Sequence, residues 1–282
     1  MSVSKDAARG NDIDCMKHRV DMQPEISCQH VRKIFGKGST AFEAVTAATF
    51  TIEKGEFVCL LGPSGCGKST LLMMIAGLEA VTDGRILASG TPMTEPRAEI
   101  GIVFQDPTLL PWKTTLQNIL FPIEMMRRKR STYLPRAMEL IRLVHLDDAV
   151  HKRPRQLSGG MRQRVSLCRA LIGDPGILLM DEPFSALDAI TRDDMNIVLL
   201  ELWERYRKTV LFVTHSIREA VLLSDRVLVM GRSPSKIIAD IKVPFARPRD
   251  FAIGESSEFN ELCAMLRNQI EIARRGDAAA RH

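Results

Sequence analysis

Gly62-Pro63-Ser64-Gly65-Cys66-Gly67-Lys68-Ser69 sits between an apolar run at Phe57–Leu61 and a helical pattern that opens at Ser69. The order strand, G-x-x-x-x-G-K-[ST], helix is that of a phosphate loop. Its glycines let the backbone wrap round phosphate oxygens, and the amides at the helix start present the positive ends of their dipoles. Lys68 reaches the β- and γ-phosphates, and Ser69 turns a hydroxyl toward Mg²⁺. A Gly-rich turn that merely precedes a helix is the alternative, and the flanking strand and helix weigh against it. The stretch predicts a bound nucleotide.

Upstream, Ile26–Phe35 and Phe42–Ile52 read as short β-like runs, and Lys54-Gly55 turns the chain into the strand that feeds the loop. Antiparallel strands beside the nucleotide are expected. Phe35 offers a ring for adenine or for the core. Residues 1–24 mix charges, Asn and Gly without periodicity and read as a tail.

Downstream, the pattern predicts a helix over 69–78, a turn at Asp83-Gly84 and an apolar strand over 100–104 ending at Gln105. An amide at a strand end can touch Mg²⁺ or the attacking water, or simply face solvent. Asp106 to Trp112 is a proline-broken loop with apolar residues, which suits packing on the next helices or a partner surface. Residues 113–156 have a helical period, with Leu134, Met138, Ile141 and Val144 on one stripe and Pro135 in the first turn. Leu157-Ser158-Gly159-Gly160-Met161-Arg162-Gln163 then opens a helix striped by Met161, Val165, Cys168 and Ile172. That start is either a second anion site or an N-cap with a flexible turn.

The run 176–182 is a buried strand closing on two carboxylates, and such ends face the ligand crevice of parallel α/β sheets. Asp181 can hold the metal, directly or through water, while Glu182 orients or deprotonates the attacking water. A further strand over 209–213 ends at Thr214-His215, and Ser216-Ile217-Arg218-Glu219 fits a capping box. His215 is a structural residue or a donor to the γ-phosphate.

With 45% hydrophobic and 26% charged residues over 282, the composition is that of an ordinary globular protein of one or two domains. The net charge of +5 suits anionic nucleotides or a membrane surface, but no basic run carries interleaved aromatics, so nucleic acid is not expected. Six scattered cysteines without a C-x-x-C pair read as reduced thiols. No run approaches eighteen apolar residues and the N-terminus is polar, so a cytoplasmic chain is expected.

Taken together, Phe35, the loop at 62–69, Gln105, the Leu157-to-Gln163 stretch, Asp181-Glu182, Ser185-Ala186-Leu187-Asp188 and His215 resemble an ATP-binding cassette subunit across about residues 26–245. The resemblance implies a RecA-like P-loop NTPase core of α/β class with an antiparallel β subdomain and an α-helical subdomain, the latter at about 106–160. It implies ATP and Mg²⁺ as ligands. Phe35 then stacks on adenine, Ser64, Gly65, Cys66, Gly67, Lys68, Ser69 and Thr70 cradle the phosphates, and Ser69, Gln105 and Asp181 serve the metal. Gln105 also couples the metal site to the partner. Glu182 is the catalytic carboxylate and His215 the γ-phosphate switch. Ser158, Gly159 and Gly160 act in trans on the ATP of a second copy, and Asp188 makes a cross-dimer contact.

One cassette without a membrane span implies a second copy of itself and separate transmembrane permease subunits, on the cytoplasmic face of the membrane, served indirectly by a solute-binding protein. The loop at 104–112 and the turns near 233 and 248 resemble importers of the nitrate, sulfonate, taurine and pyrimidine-precursor group. Residues 246–282 are expected to be a C-terminal extension whose helix, over 258–275, docks through Phe259, Leu262, Leu266 and Ile270. A soluble cassette of repair or translation, or another phosphate-loop enzyme, is the rival. The first usually has two cassettes or a coiled-coil insert, and the second gives no reason for Ser-Gly-Gly. Two expectations remain: that Lys68 and the helix dipole favour the Cys66 thiolate, and that Trp112 belongs to the surface facing a membrane subunit.

Overall fold

The computed structural model describes residues 23–232 and 235–275. The expected tail lies almost wholly outside the described residues, as do residues 233 and 234 of the turn expected near 233.

Among the described residues ten strands form two sheets. The smaller contains β1 (Ile26–Phe35), β2 (Phe42–Ile52), β4 (Asp83–Ala88) and β5 (Thr91–Pro92) in the antiparallel order β2-β1-β4-β5. The larger contains β3 (Phe57–Leu61), β6 (Ile100–Val103), β7 (Ile177–Asp181), β8 (Thr209–Thr214), β9 (Arg226–Met230) and β10 (Ile237–Lys242), ordered β10-β9-β3-β8-β7-β6. All its pairings are parallel except that of β10. Every residue of β3 and β8 is buried, as befits parallel strands covered on both faces.

One face of this sheet packs on α1 (Lys68–Ile75) and the antiparallel sheet, and the other on the remaining helices. These are α2 (Thr115–Met125), α3 (Arg130–Leu143), α4 (Gly159–Leu171), α5 (Ala189–Tyr206), α6 (Ile217–Leu223) and α7 (Ser257–Arg275). The architecture is the α/β core with an antiparallel β sheet and a helical region that the sequence implied.

Local readings differ in four places. Asp83-Gly84 is not a free turn: Asp83 pairs with Arg32 and Arg85 with Gln29, and Gly84 (φ +80°) lies opposite His30 (φ +51°) at a bulge. In α3 the inner face is Ala137, Leu140, Ile141 and Val144 at its end, while Leu134, at the edge of that face, is exposed and Tyr133 packs in its place. Pro135 falls in the second turn, since α3 already begins at Arg130. The box at Ser216 is half made: Ser216 Oγ accepts from Glu219 N–H, but the Glu219 carboxylate accepts from Thr214 Oγ1 instead of turning back.

The C-terminal segment is pinned to the core. Arg249 donates to the carbonyls of Ser224 (2.6 Å) and Phe245 (2.9 Å), and burial lowers its pKa to about 10. Helix α7 buries Phe259, Leu262, Leu266 and Ile270 in the same core as α6.

Candidate functional site

The carboxyl ends of β3, β7 and β8 are neighbours in the sheet, so the residues that follow them share one crevice. After β3 the chain enters the loop at 62–67, and Gly67 opens α1 with φ +89°. A Cβ there would lie 2.9 Å from the Ala44 carbonyl oxygen, so the left-handed turn and the close approach both require glycine.

Lys68 is 4% exposed, and its ammonium donates to the carbonyls of Gly62 (3.0 Å) and Pro63 (3.1 Å). Glu182 Oε1 lies 3.6 Å from the same nitrogen. Two carbonyls and a carboxylate oxygen thus fix the position of the cation at the head of α1. Ser69 Oγ donates to Asp181 Oδ1 at 2.8 Å. Burial raises the Asp181 pKa, opposed by the Ser69 hydrogen bond. A hydroxyl and a half-buried carboxylate in contact are a hard oxygen donor pair, and they fit Mg²⁺.

Glu182 adopts a left-handed backbone (φ +43°) just past the end of β7, anchored by its N–H to Val213 O and by Ser185 Oγ donating to its carbonyl. That strained turn sends its carboxylate to His215, with Nδ1 to Oε2 at 3.0 Å. With Glu182 ionised, Nδ1 is the donor.

Two cavities open here. One, of about 330 Å³, joins Phe35, Lys68, Ser69, Thr70, Gln105 and Glu182; the other, of about 630 Å³, joins Gly62, Pro63, Ser64, Gln105, Glu182 and His215. The expected ATP and metal residues therefore converge. Phe35 is 39% exposed toward the first cavity, and Phe42, its register partner, is there with it. Phe42 was not singled out from sequence. Its signal is the hairpin register, which sets it opposite Phe35. Gln163 was quoted but given no part; buried, it donates to the Phe104 carbonyl at 3.1 Å and so fixes the backbone before Gln105.

Ser158, Gly159, Gly160 and Asp188 line neither cavity. Ser158 caps α4 by accepting from Met161 N–H at 3.2 Å, and Asp188 caps α5 by accepting from Thr191 N–H and Oγ1. A Cβ on Gly160 would lie 2.4 Å from Thr191 Cγ2, so that glycine lets α4 approach α5.

The Cys66 expectation is corrected. Its side chain is buried, and desolvation raises the thiol pKa despite the opposing pull of Lys68.

Residues 45–185 match the family model described as the ABC transporter. The chain belongs to this family. It is 40% identical to the aliphatic sulfonates import ATP-binding protein of Bacillus cereus over 87% of this chain and 96% of the relative. To the nitrate import ATP-binding protein of Synechococcus elongatus it is 43% identical over 78% and 81% of the respective chains. Its fold matches a dimeric ATP-binding cassette in a post-hydrolysis state bound to ADP and Pi, with a TM-score of 0.68 and 30% identity over 78% of this chain and all of the other.

Proposed function

We propose that this cassette binds and hydrolyses ATP, giving ADP and phosphate, to energise uptake of a small solute of the nitrate, sulfonate or taurine type through separate transmembrane subunits. The observation that carries the reading is the convergence of Lys68, the Ser69–Asp181 pair and the Glu182–His215 pair on one crevice. Ser69 and Asp181, with Gln105 at the rim, would hold Mg²⁺, which when bound neutralises charge on the phosphate oxygens. Lys68 and the loop amides bind and orient the triphosphate. Glu182 accepts a proton from the attacking water, and His215, oriented by that carboxylate, faces the terminal phosphate.

The importer reading rests on the relatives' names and on a surface. A cavity of about 410 Å³ between β6, α2 and α4 is lined by Ile102, Phe104, Phe121, Pro122 and Met126. Arg169 donates to the Pro107 and Thr108 carbonyls and so ties the 106–112 loop to α4. Trp112 on that loop is 67% exposed. Among the described residues no helix is long and apolar enough to cross a membrane, so attachment falls to permease subunits at the cytoplasmic face. A second copy of this chain completes each ATP site with Ser158 and Gly160.

The test is phosphate release from MgATP by the purified chain, then by the chain co-expressed with its permease. Turnover and co-purification with an integral membrane protein are expected, and Trp112→Ala spares basal turnover while uncoupling transport. A chain that never releases phosphate from ATP, alone or with the permease, would overturn the proposal.

A further inference from the structure

Arg192 and Glu219 lie beside the catalytic pair, and the chemistry described so far leaves them without a part. Arg192, in the first turn of α5, turns back over the loop that leads into its own helix. Its Nη2 donates to the Leu187 carbonyl at 2.7 Å and its Nε to the Phe184 carbonyl at 3.2 Å. Both ends of the 185–188 loop are thereby held by one planar guanidinium. The loop's other anchor is the Phe184 ring, 1% exposed and 5.7 Å from that of Phe212 in β8.

The same Arg192 Nε lies 3.7 Å from Glu219 Oε1 on α6, where the carboxylate is only 8% exposed. The second oxygen of that carboxylate accepts from Thr214 Oγ1 at 2.5 Å, and Thr214 Oγ1 in turn accepts from Ser216 N–H at 3.0 Å. Thr214 and Ser216 flank His215. A small cavity bounded by Glu182, Ser185, Arg192, His215 and Glu219 shows how closely these groups surround the catalytic carboxylate. A carboxylate this far out of water is retained only where its partners are well placed. Here the partners are the backbone of one functional loop and the strand end of another.

We propose that Arg192 and Glu219 are positioning residues, forming a bridge that fixes the 185–188 loop to the strand end bearing His215 so that the two set the geometry of Glu182 together. The inference rests on the ATPase reading above. Asp188 caps α5 one turn before Arg192, so a contact made at the loop by a second copy reaches His215 through the guanidinium and the Glu219 carboxylate. Lysine cannot replace the arginine, because a single ammonium cannot span two carbonyls and a carboxylate in one plane. Glutamine at 219 keeps the shape and an acceptor for Thr214 but removes the charge that Arg192 faces.

The experiment compares steady-state MgATP hydrolysis by the wild-type chain and by Arg192→Gln, Arg192→Lys, Glu219→Gln and the Arg192→Gln/Glu219→Gln double variant, with thermal melts of each. Expected is a fall in kcat of about ten-fold for each single variant, ATP KM within about two-fold of wild type, no rescue by lysine, and a double variant no slower than the slower single one. Wild-type kcat in Glu219→Gln or Arg192→Gln would overturn the bridge, and so would multiplicative losses in the double variant. Losses that follow a lowered melting temperature and a raised KM would assign the pair to stability alone and overturn it too. Should one variant not fold, the others decide. A wild-type chain without turnover would instead overturn the ATPase reading, and this inference with it.

Discussion

The loop at 62–70 and the helix start at 158–160 are both glycine-rich openings of helices, yet the structure treats them differently. The first is finished within the chain: Lys68 is caged by two carbonyls and faced by Glu182, Ser69 is bonded to Asp181, and the cavities lead to Phe35 and His215. The second caps its own helix through Ser158 and stops there. Ser158 is exposed and lines neither of those cavities. A helix start with free amides at the surface binds an anion only when something brings one. The difference teaches that the groups of the first region meet within one chain, whereas the second turns only to its own helix.

That contrast can be broken at several strengths. Lys68→Ala removes the caged cation, and turnover should fall by at least about 10²- to 10³-fold with MgATP binding weakened in the isolated chain; phosphate release and equilibrium nucleotide binding measure the two effects. Gly160→Ala acts on the other region. The new methyl meets Thr191, and overpacking of this kind costs about 1–3 kcal/mol, read as a lower urea midpoint, while binding of one MgATP per monomer is kept. Phe42→Ala tests the aromatic wall of the finished site: loss of a ring contact worth about 0.5–1.5 kcal/mol raises the ATP KM by roughly 2- to 13-fold and leaves kcat unchanged.

Cys66 gives the smallest effect. Its pKa is raised, so at neutral pH less thiolate is present than on an unperturbed cysteine, and that deficit closes only as pH climbs past the raised value. Maleimide should therefore inactivate more slowly than it labels a free thiol at pH 7.5. Labelling as fast as that of free thiol would show that the loop opens and restore the thiolate expectation.

Much of the first region was legible from sequence because its chemistry is local. The spacing of Gly62, Gly67, Lys68 and Ser69, and strands that end in Asp181-Glu182 and His215, identify the groups before any contact is known. Burial was legible in α7, where Phe259, Leu262, Leu266 and Ile270 recur at helical spacing. Effects decided by competition between terms were not. Cys66 sits by a cation at a helix start, yet desolvation wins once the side chain is buried. Glu219 fits a capping box by spacing, but Thr214 and Arg192 hold its carboxylate away from the Ser216 amide. Gln163 bonds to another loop, which no local pattern contains, and Phe42 is found only through the register of its hairpin.

The central claim is that the unfinished region is completed by a second copy across ATP. Glu182→Gln keeps Lys68, Ser69 and Asp181, so MgATP stays bound while loss of the base slows hydrolysis by about 10²- to 10⁴-fold. Light scattering on size-exclusion is then run with and without MgATP on Glu182→Gln and on Glu182→Gln/Ser158→Arg. The account predicts a dimer for Glu182→Gln only with MgATP, and a monomer that still binds MgATP once Ser158→Arg sets a bulky cation at the helix start. A Glu182→Gln chain that hydrolyses ATP at the wild-type rate, or a dimer indifferent to Ser158→Arg, would contradict it.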